Sequence, residues 1–162
     1  MNNIELVNRS KYDSLIGTAY EKLDCQALVE KIFRNAGINI NYKGSNDMWR
    51  NMVKNRMTKE LATAELDHIA PGTLVFTIKN DGGEIERGYH DNMKNAAHVG
   101  LVLFDNVVIH STTPDGVQYD KVSSKRWTHI AFAKQIEYTN PNTDSNNEII
   151  DKIIELLNSL RR

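Results

Sequence analysis

KLDCQALVEKIF (residues 22–33) carries the only cysteine of the chain, Cys25. Within it Cys25, Leu28, Val29, Ile32 and Phe33 fall at i, i+3, i+4, i+7 and i+8, the apolar stripe of an amphipathic helix. Asp24 stands where an N-cap belongs, and Gly37 where the helix would stop. Two readings of the cysteine follow. On the stripe it is a small apolar residue facing a core. In the first helical turn it meets free backbone N–H groups and the positive end of the helix dipole, which lower a thiol pKa and favour the thiolate. The helix alone does not choose between core residue and nucleophile.

Working outward, NDMWRNMVK (residues 46–54) predicts a second helix with Met48, Trp49, Met52 and Val53 on one side, and TKELATAEL (residues 58–66) a third, capped by Thr58. From Pro71 the period changes. GTLVFTIK (72–79) reads as a strand entering a turn at NDGG (80–83), and residues 84–96 as a polar loop. HVGLVLF (98–104) is a mostly apolar run, as for a strand covered on both sides. Asp105 and Asn106 make a turn. VVIH (107–110), VQY (117–119) and WTHIAFA (127–133) are further strands, with a turn at TTPDG (112–116). Helices followed by an antiparallel meander predict an α+β domain over residues 1–138. TNPNTDSNN (139–147) reads as a linker, and residues 148–162 as a C-terminal amphipathic helix with Ile149, Ile150, Ile153, Ile154, Leu157 and Leu160 at helical spacing. That helix either docks on the domain or serves self-association or tethering.

Composition narrows the function classes. A chain of 162 residues with 40% hydrophobic and 25% charged residues suffices for one folded domain with a real core. Lys and Arg number 20 against 21 Asp and Glu, a balance with no footprint for nucleic acid and no basic patch for an anionic membrane. No apolar run approaches the ~20 residues that span a bilayer. MNNIELVNRSKYDS lacks the basic-then-apolar pattern of a secretory signal, so delivery by other means is expected. One cysteine forms no internal disulfide.

Five histidines bear on Cys25: His68, His90, His98, His110 and His129. His98 opens one strand and His110 closes the next, with a tight turn between them. Antiparallel pairing is then expected to set the two rings side by side at one end of the hairpin. One imidazole can take a thiol proton while its neighbour orients it through the other ring nitrogen, the logic of a nucleophile, base and orienter. The plainer alternative is a pair of strand-end histidines hydrogen-bonded to loops. A zinc set of His90, His98 and His110 with Cys25 or Asp91 has suitable residue types but lacks the close-spaced ligand pair such sites usually contain. Neither a metal nor an organic cofactor is therefore expected. Tyr89, His90 and Asp91 precede the base strand and would lie at a cleft rim. Trp49 and Trp127 are expected in the core, His68 at the surface, and His129 as a structural strand residue.

IGTAY (16–20), DCQALV (24–29), PGTLVF (71–76), HVGLVL (98–103) and VIH (108–110), in that order, resemble the NlpC/P-sixty family of papain-like cysteine peptidases over about residues 12–135. The resemblance implies a papain-like, NlpC-type fold. It assigns Cys25 as nucleophile, His98 as base and His110 as third member, with Tyr20 near the oxyanion position and Asp24 able to meet a substrate amine. It implies hydrolysis of peptidoglycan stem peptides through an acyl-enzyme, typically between γ-D-glutamate and a diamino acid. The same fold also supports an N-acetylmuramoyl-alanine amidase, a transpeptidase or another amide hydrolase. Gln26-Ala27 replace the family's usual Ser-Gly, and the loop from Tyr20 to Cys25 is short. These departures keep a non-catalytic structural or binding protein among the readings. Extra length between cysteine and base falls in residues 41–66 and 80–97, which would flank the cleft. DCQALV, GSNDMWRN and GYHD resemble bacteriophage or prophage peptidases.

Overall fold

A computed structural model describes residues 1–61, 69–80 and 91–139. His68, Tyr89, His90, the expected linker beyond Thr139 and the expected C-terminal helix lie outside the described residues. The helix over KLDCQALVEKIF is α2, Cys25–Asn35. Asp24 Oδ1 accepts from the Ala27 N–H at 2.8 Å, closing its first turn. At the other end Ile38 N–H reaches Phe33 O and Gly37 N–H reaches Arg34 O, with Gly37 at φ +92°. This pair of bonds is the Schellman arrangement, which needs a left-handed residue and so places glycine there. All five residues of the apolar stripe are buried. Each large one contributes roughly 1.5–3 kcal/mol by leaving water.

A short helix precedes it, α1, Asn3–Arg9, which the periodicity above does not announce. Asn2 and Glu5 cap it reciprocally: Asn2 Oδ1 accepts from Glu5 N–H at 2.8 Å, and Asn2 N–H donates to Glu5 Oε2 at 3.1 Å. Asn3 is fully buried yet satisfied. Its amide donates to Pro71 O and Thr139 O and accepts from Thr139 N–H, tying the first helix to the last described residue.

The expected second helix is shorter than its pattern. One helical turn, α3, Ser45–Asp47, runs into a π-helical turn, Met48–Met52. Val53 then starts a strand, β1, Val53–Thr58, where a helical period was expected. Met48, Trp49, Met52 and Val53 are all buried, so the apolar face is as expected and only the backbone differs. Residues 59–61 are helical, and the remainder of the expected third helix lies outside the described residues.

Five more strands follow: β2, Leu74–Lys79; β3, Asn95–Val102; β4, Val107–Thr112; β5, Gly116–Lys121; and β6, His129–Ala133. They form one six-stranded antiparallel sheet in the order β1-β6-β2-β3-β4-β5. The meander holds for β2 to β5. β6 departs from it, returning across the sheet to lie between β1 and β2. One face packs on α2 through Leu74, Phe76, Val99, Leu101 and Ile109. The other buries a second cluster around Trp127 with Val75, Val102, Val108 and Ile130. Both faces of β3 are covered, as the apolar run HVGLVLF suggests. The turn at Asp105-Asn106 is present, with both residues at positive φ.

Candidate active site

The sheet is split where β3 and β4 separate. Their pairing runs from Val102↔Val108 to Gly100↔His110 and stops there. β3 extends further back, to Asn95, along β2, while β4 continues to Thr112 along β5. The N-terminus of α2 meets the opening: the Val99 backbone N–H, one residue from His98, lies near enough to Cys25 to favour its thiolate. The chain also replaces the hydrogen bonds that β4 no longer supplies. Asn46 Oδ1 accepts from Ala96 N–H at 2.9 Å, and Ser45 Oγ donates to Ala96 O at 2.6 Å. Arg50, its side chain only 7% exposed, holds the same stretch. It donates to Asp91 Oδ2 at 2.8 Å and Oδ1 at 2.7 Å, to Asn46 Oδ1 at 3.0 Å and to Lys94 O at 2.9 Å.

His98 is not the first residue of its strand. Pairing with β2 carries β3 back to Asn95, so His98 is its fourth residue and lies opposite Thr77. Gly100, not His98, is the register partner of His110. The two histidines are thus diagonal neighbours, two residues apart on one face of the sheet. The side-by-side outcome holds all the same: His98 Nε2 lies 3.0 Å from His110 Nδ1, with the rings nearly perpendicular. A Cβ at position 100 would come within 2.7 Å of Val108 and 3.0 Å of Trp127, so only glycine lets the strands and the indole close here. Trp127 is a core residue, as expected, but it also stacks on His98, 5.4 Å between centroids at 16°. Arg126 Nη1 stands 3.2 Å from His110 Nδ1. Sequence reasoning assigned neither Arg126 nor Trp127 to the site.

Tyr20 reaches the thiol by a different route. Its hydroxyl lies near enough to Cys25 for the thiol to raise its pKa. The loop that carries it is fixed by a two-way ladder to β5: Gly17 N–H to Val117 O and Val117 N–H to Thr18 O, both 2.9 Å. Gly116, at φ +72°, faces Thr18 O so closely that a Cβ would stand 2.2 Å from it. Gly116→Ala is therefore expected to destabilise the fold by about 2–4 kcal/mol, from overpacking and a left-handed backbone together. Gly17→Ala is the matched control, since Gly17 has φ +79° but open space around it. It should cost about 1 kcal/mol. Urea midpoints compare the two, and equal losses would remove the close-approach argument.

The electrostatics run against a preformed thiolate. Burial pushes the Cys25 thiol up, and the Asp24 carboxylate adds to this. The backbone N–H groups of Val99, Gln26 and Cys25 itself pull it down without overcoming burial. The helix N-terminus thus acts in the expected direction but loses to desolvation. His98 is lowered to about 3, first by burial and then by the charges of His110 and Arg126. His110 is lowered to about 4, by burial and then Arg126. Tyr20 is raised by burial and by the Cys25 and Asp24 charges. At neutral pH the thiol and both imidazoles are uncharged.

No group of three possible metal ligands occurs among the described residues. Of the residues weighed as zinc ligands and set aside, Asp91 is held by Arg50, His98 and His110 bond to each other, and His90 lies outside the described residues. His129 bonds Thr128 Oγ1 through Nδ1 at 2.8 Å and sits edge-on to Trp49, a structural placement.

A family model described as NlpC/P60 family matches residues 11–135. The chain belongs to the NlpC/P60 family. Solved structures share its fold. An NLP/P60-family protein similar to lipoprotein, from Staphylococcus aureus, is 16% identical with a TM-score of 0.54, over 83% of this chain and 42% of its own. The P60 domain of an antigen from Mycobacterium avium subspecies paratuberculosis is 18% identical, TM-score 0.54, over 84% of this chain and 96% of its own. The peptidoglycan hydrolase RipB from Mycobacterium tuberculosis is 19% identical, TM-score 0.53, over 84% and 66%. The chain spans well under half the length of the first two such structures, 42% and 39%. No curated protein sequence matches it. None of these likenesses bears on a bacteriophage origin.

Against the NlpC/P60 pattern, Gln26 has a definite place. Its side chain donates to Tyr42 O at 2.9 Å, while Glu30, one turn along α2, accepts from Tyr42 N–H at 2.6 Å. The two side chains clamp one residue of the segment after the helix by both its backbone groups. The residue that replaces the family's serine is thus committed to fixing that segment.

Proposed function

We propose that this NlpC/P60 protein is a cysteine peptidase that hydrolyses amide bonds in peptidoglycan stem peptides, the bond between γ-D-glutamate and a diamino acid first among them. The observation that carries the reading is the thiol of Cys25 at a helix N-terminus, against the N–H of the residue that follows His98, with His98 Nε2 on His110. The naming of the similar RipB structure as a peptidoglycan hydrolase supports the substrate class.

In this reading Cys25 sulfur attacks the scissile carbonyl carbon. His98 takes the thiol proton as the C–S bond forms, since the resting thiol is neutral. The oxyanion meets the Cys25 backbone N–H and the Tyr20 hydroxyl. His98 then gives the proton to the leaving nitrogen as the C–N bond breaks. Water, deprotonated by the same imidazole, releases the acyl group as a carboxylic acid. His110 holds His98 through the 3.0 Å contact. Asp24 keeps one oxygen on the helix cap, and its carboxylate would also meet a free substrate amine.

Digestion of purified muropeptides by the wild type and by Cys25→Ala tests the reading, with mass spectrometry of the fragments. Wild type should release fragments cut within the stem, and Cys25→Ala none. Release of whole stem peptides from the glycan would replace the endopeptidase by an amidase. Equal turnover by both proteins would sink the cysteine mechanism.

A further inference from the structure

The sheet face that carries His98 and His110 also carries two consecutive residues from the segment between β5 and β6. Trp127 lies flat on the His98 ring, and Arg126 points Nη1 at His110. The segment is anchored: Thr77 Oγ1 donates to Arg126 O at 2.8 Å, and Thr77 is the register partner of His98. The residue opposite the proposed base thus holds the residue that addresses its neighbour.

We propose that Arg126 is a positioning residue that fixes the proton of the histidine pair on His98 Nε2, leaving His98 Nδ1 as the basic nitrogen. The reasoning is a matter of donors and lone pairs. A guanidinium has only N–H donors. At 3.2 Å from Arg126 Nη1, His110 Nδ1 is therefore the acceptor and carries no proton. His98 Nε2 lies 3.0 Å from that same atom. Two lone pairs do not face each other at this distance, so His98 Nε2 must be the N–H. A neutral imidazole has one proton, which leaves the lone pair of His98 on Nδ1. Without Arg126 the same contact is equally satisfied by a proton on His110 Nδ1 donated to His98 Nε2. That alternative moves the His98 proton to Nδ1, and a ring so protonated cannot accept from a thiol there.

The charge of Arg126 acts in the same sense. It opposes a proton on either ring, together with burial, while Asp120 on β5 favours one. Cys25 and Tyr20, both raised by burial, are neutral in the resting state. The pair is therefore held neutral as well as in one tautomer. This inference deepens the proposed mechanism and rests on it for its consequence, but not for its test.

The test is the long-range proton–nitrogen spectrum of the full chain, labelled with nitrogen-15, at neutral pH. For wild type the expected pattern has His98 protonated at Nε2 and bare at Nδ1. Arg126→Met keeps the apolar stem and removes the donors and the charge. In it the His98 signals should shift toward a mixture of tautomers, and the titration midpoint of the pair should rise by about one pH unit or more. A wild-type His98 with its proton on Nδ1 would overturn the proposal, as would an Arg126→Met variant with unchanged tautomer and titration. If Arg126→Met fails to fold, the wild-type spectrum still decides. No substrate enters the measurement, so absence of muropeptide turnover would refute the peptidase reading and leave this one standing.

Discussion

His98→Ala is expected to lower kcat/KM on muropeptides by about a thousandfold, the scale of a lost general base. The argument starts from the thiol. Burial holds Cys25 in its protonated form, against the pull of three backbone N–H groups. A site with a ready thiolate would keep much of its nucleophile without the imidazole. This site would not, because the proton must leave during the attack. The loss should therefore shrink as pH rises: His98→Ala should regain activity with a slope near one per pH unit as the thiol ionises unaided. Iodoacetamide alkylation of Cys25 should show the same slope without any substrate. Since His98 stacks on Trp127, melting of the variant is measured alongside, and His98→Gln serves as a bulkier replacement. Activity within tenfold of wild type at neutral pH would rule out His98 as the base.

How much of this was legible in the sequence differs by element, for physical reasons. α2 was legible because cap, stripe and stop all agree within KLDCQALVEKIF and the glycine after it. The strands from β3 to β5 were legible because short turns of strong chemistry separate them. β1 was not: VKNRMT follows a helical run, and Asn55 at φ 50° with a bulge between Lys54 and Met57 breaks the alternation a strand should show. α1 offers only Leu6 and Val7 as buried apolar residues, too few for a period, and its signal is the Asn2–Glu5 capping pair. The histidine pair was expected from hairpin geometry, but the residue opposite His110 is Gly100, because the sheet splits there. Trp127 and Arg126 reach the histidines only because β6 crosses back beside β2. No local pattern in SSKRW announces that. The lowered thiol pKa expected from the helix N-terminus failed because a sequence shows the dipole and not the burial.

Acidification from pH 7 to pH 5 is expected to cost the fold about 4 kcal/mol through the histidine pair alone, at roughly 2 kcal/mol per ring. The sign follows from the direction of the shifts. His98 and His110 are lowered to about 3 and about 4, while the unfolded chain binds protons from about pH 6.5 downward. Over that window the unfolded state takes up more protons than the native one, so stability falls as pH falls. The loss continues until the native rings titrate near pH 4 and 3. For a chain of this size the cost corresponds to a fall in Tm of about 8–16 °C. Carboxylates contribute in the same direction only nearer their own range. Asp91, held low by Arg50, does so below the usual carboxylate pKa, so the interval above pH 5 isolates the histidines. His129, also lowered by burial, adds a smaller part. Urea unfolding of wild type and of a His98→Gln/His110→Gln double variant at pH 7, 6 and 5 measures the difference. The double variant should lose only the fraction due to His129. A wild-type stability flat across this interval, or a double variant that falls as steeply, would show that the pair is not held neutral. The resting thiol would then face an imidazolium, and the general-base step proposed for His98 would have to give way to a preformed ion pair.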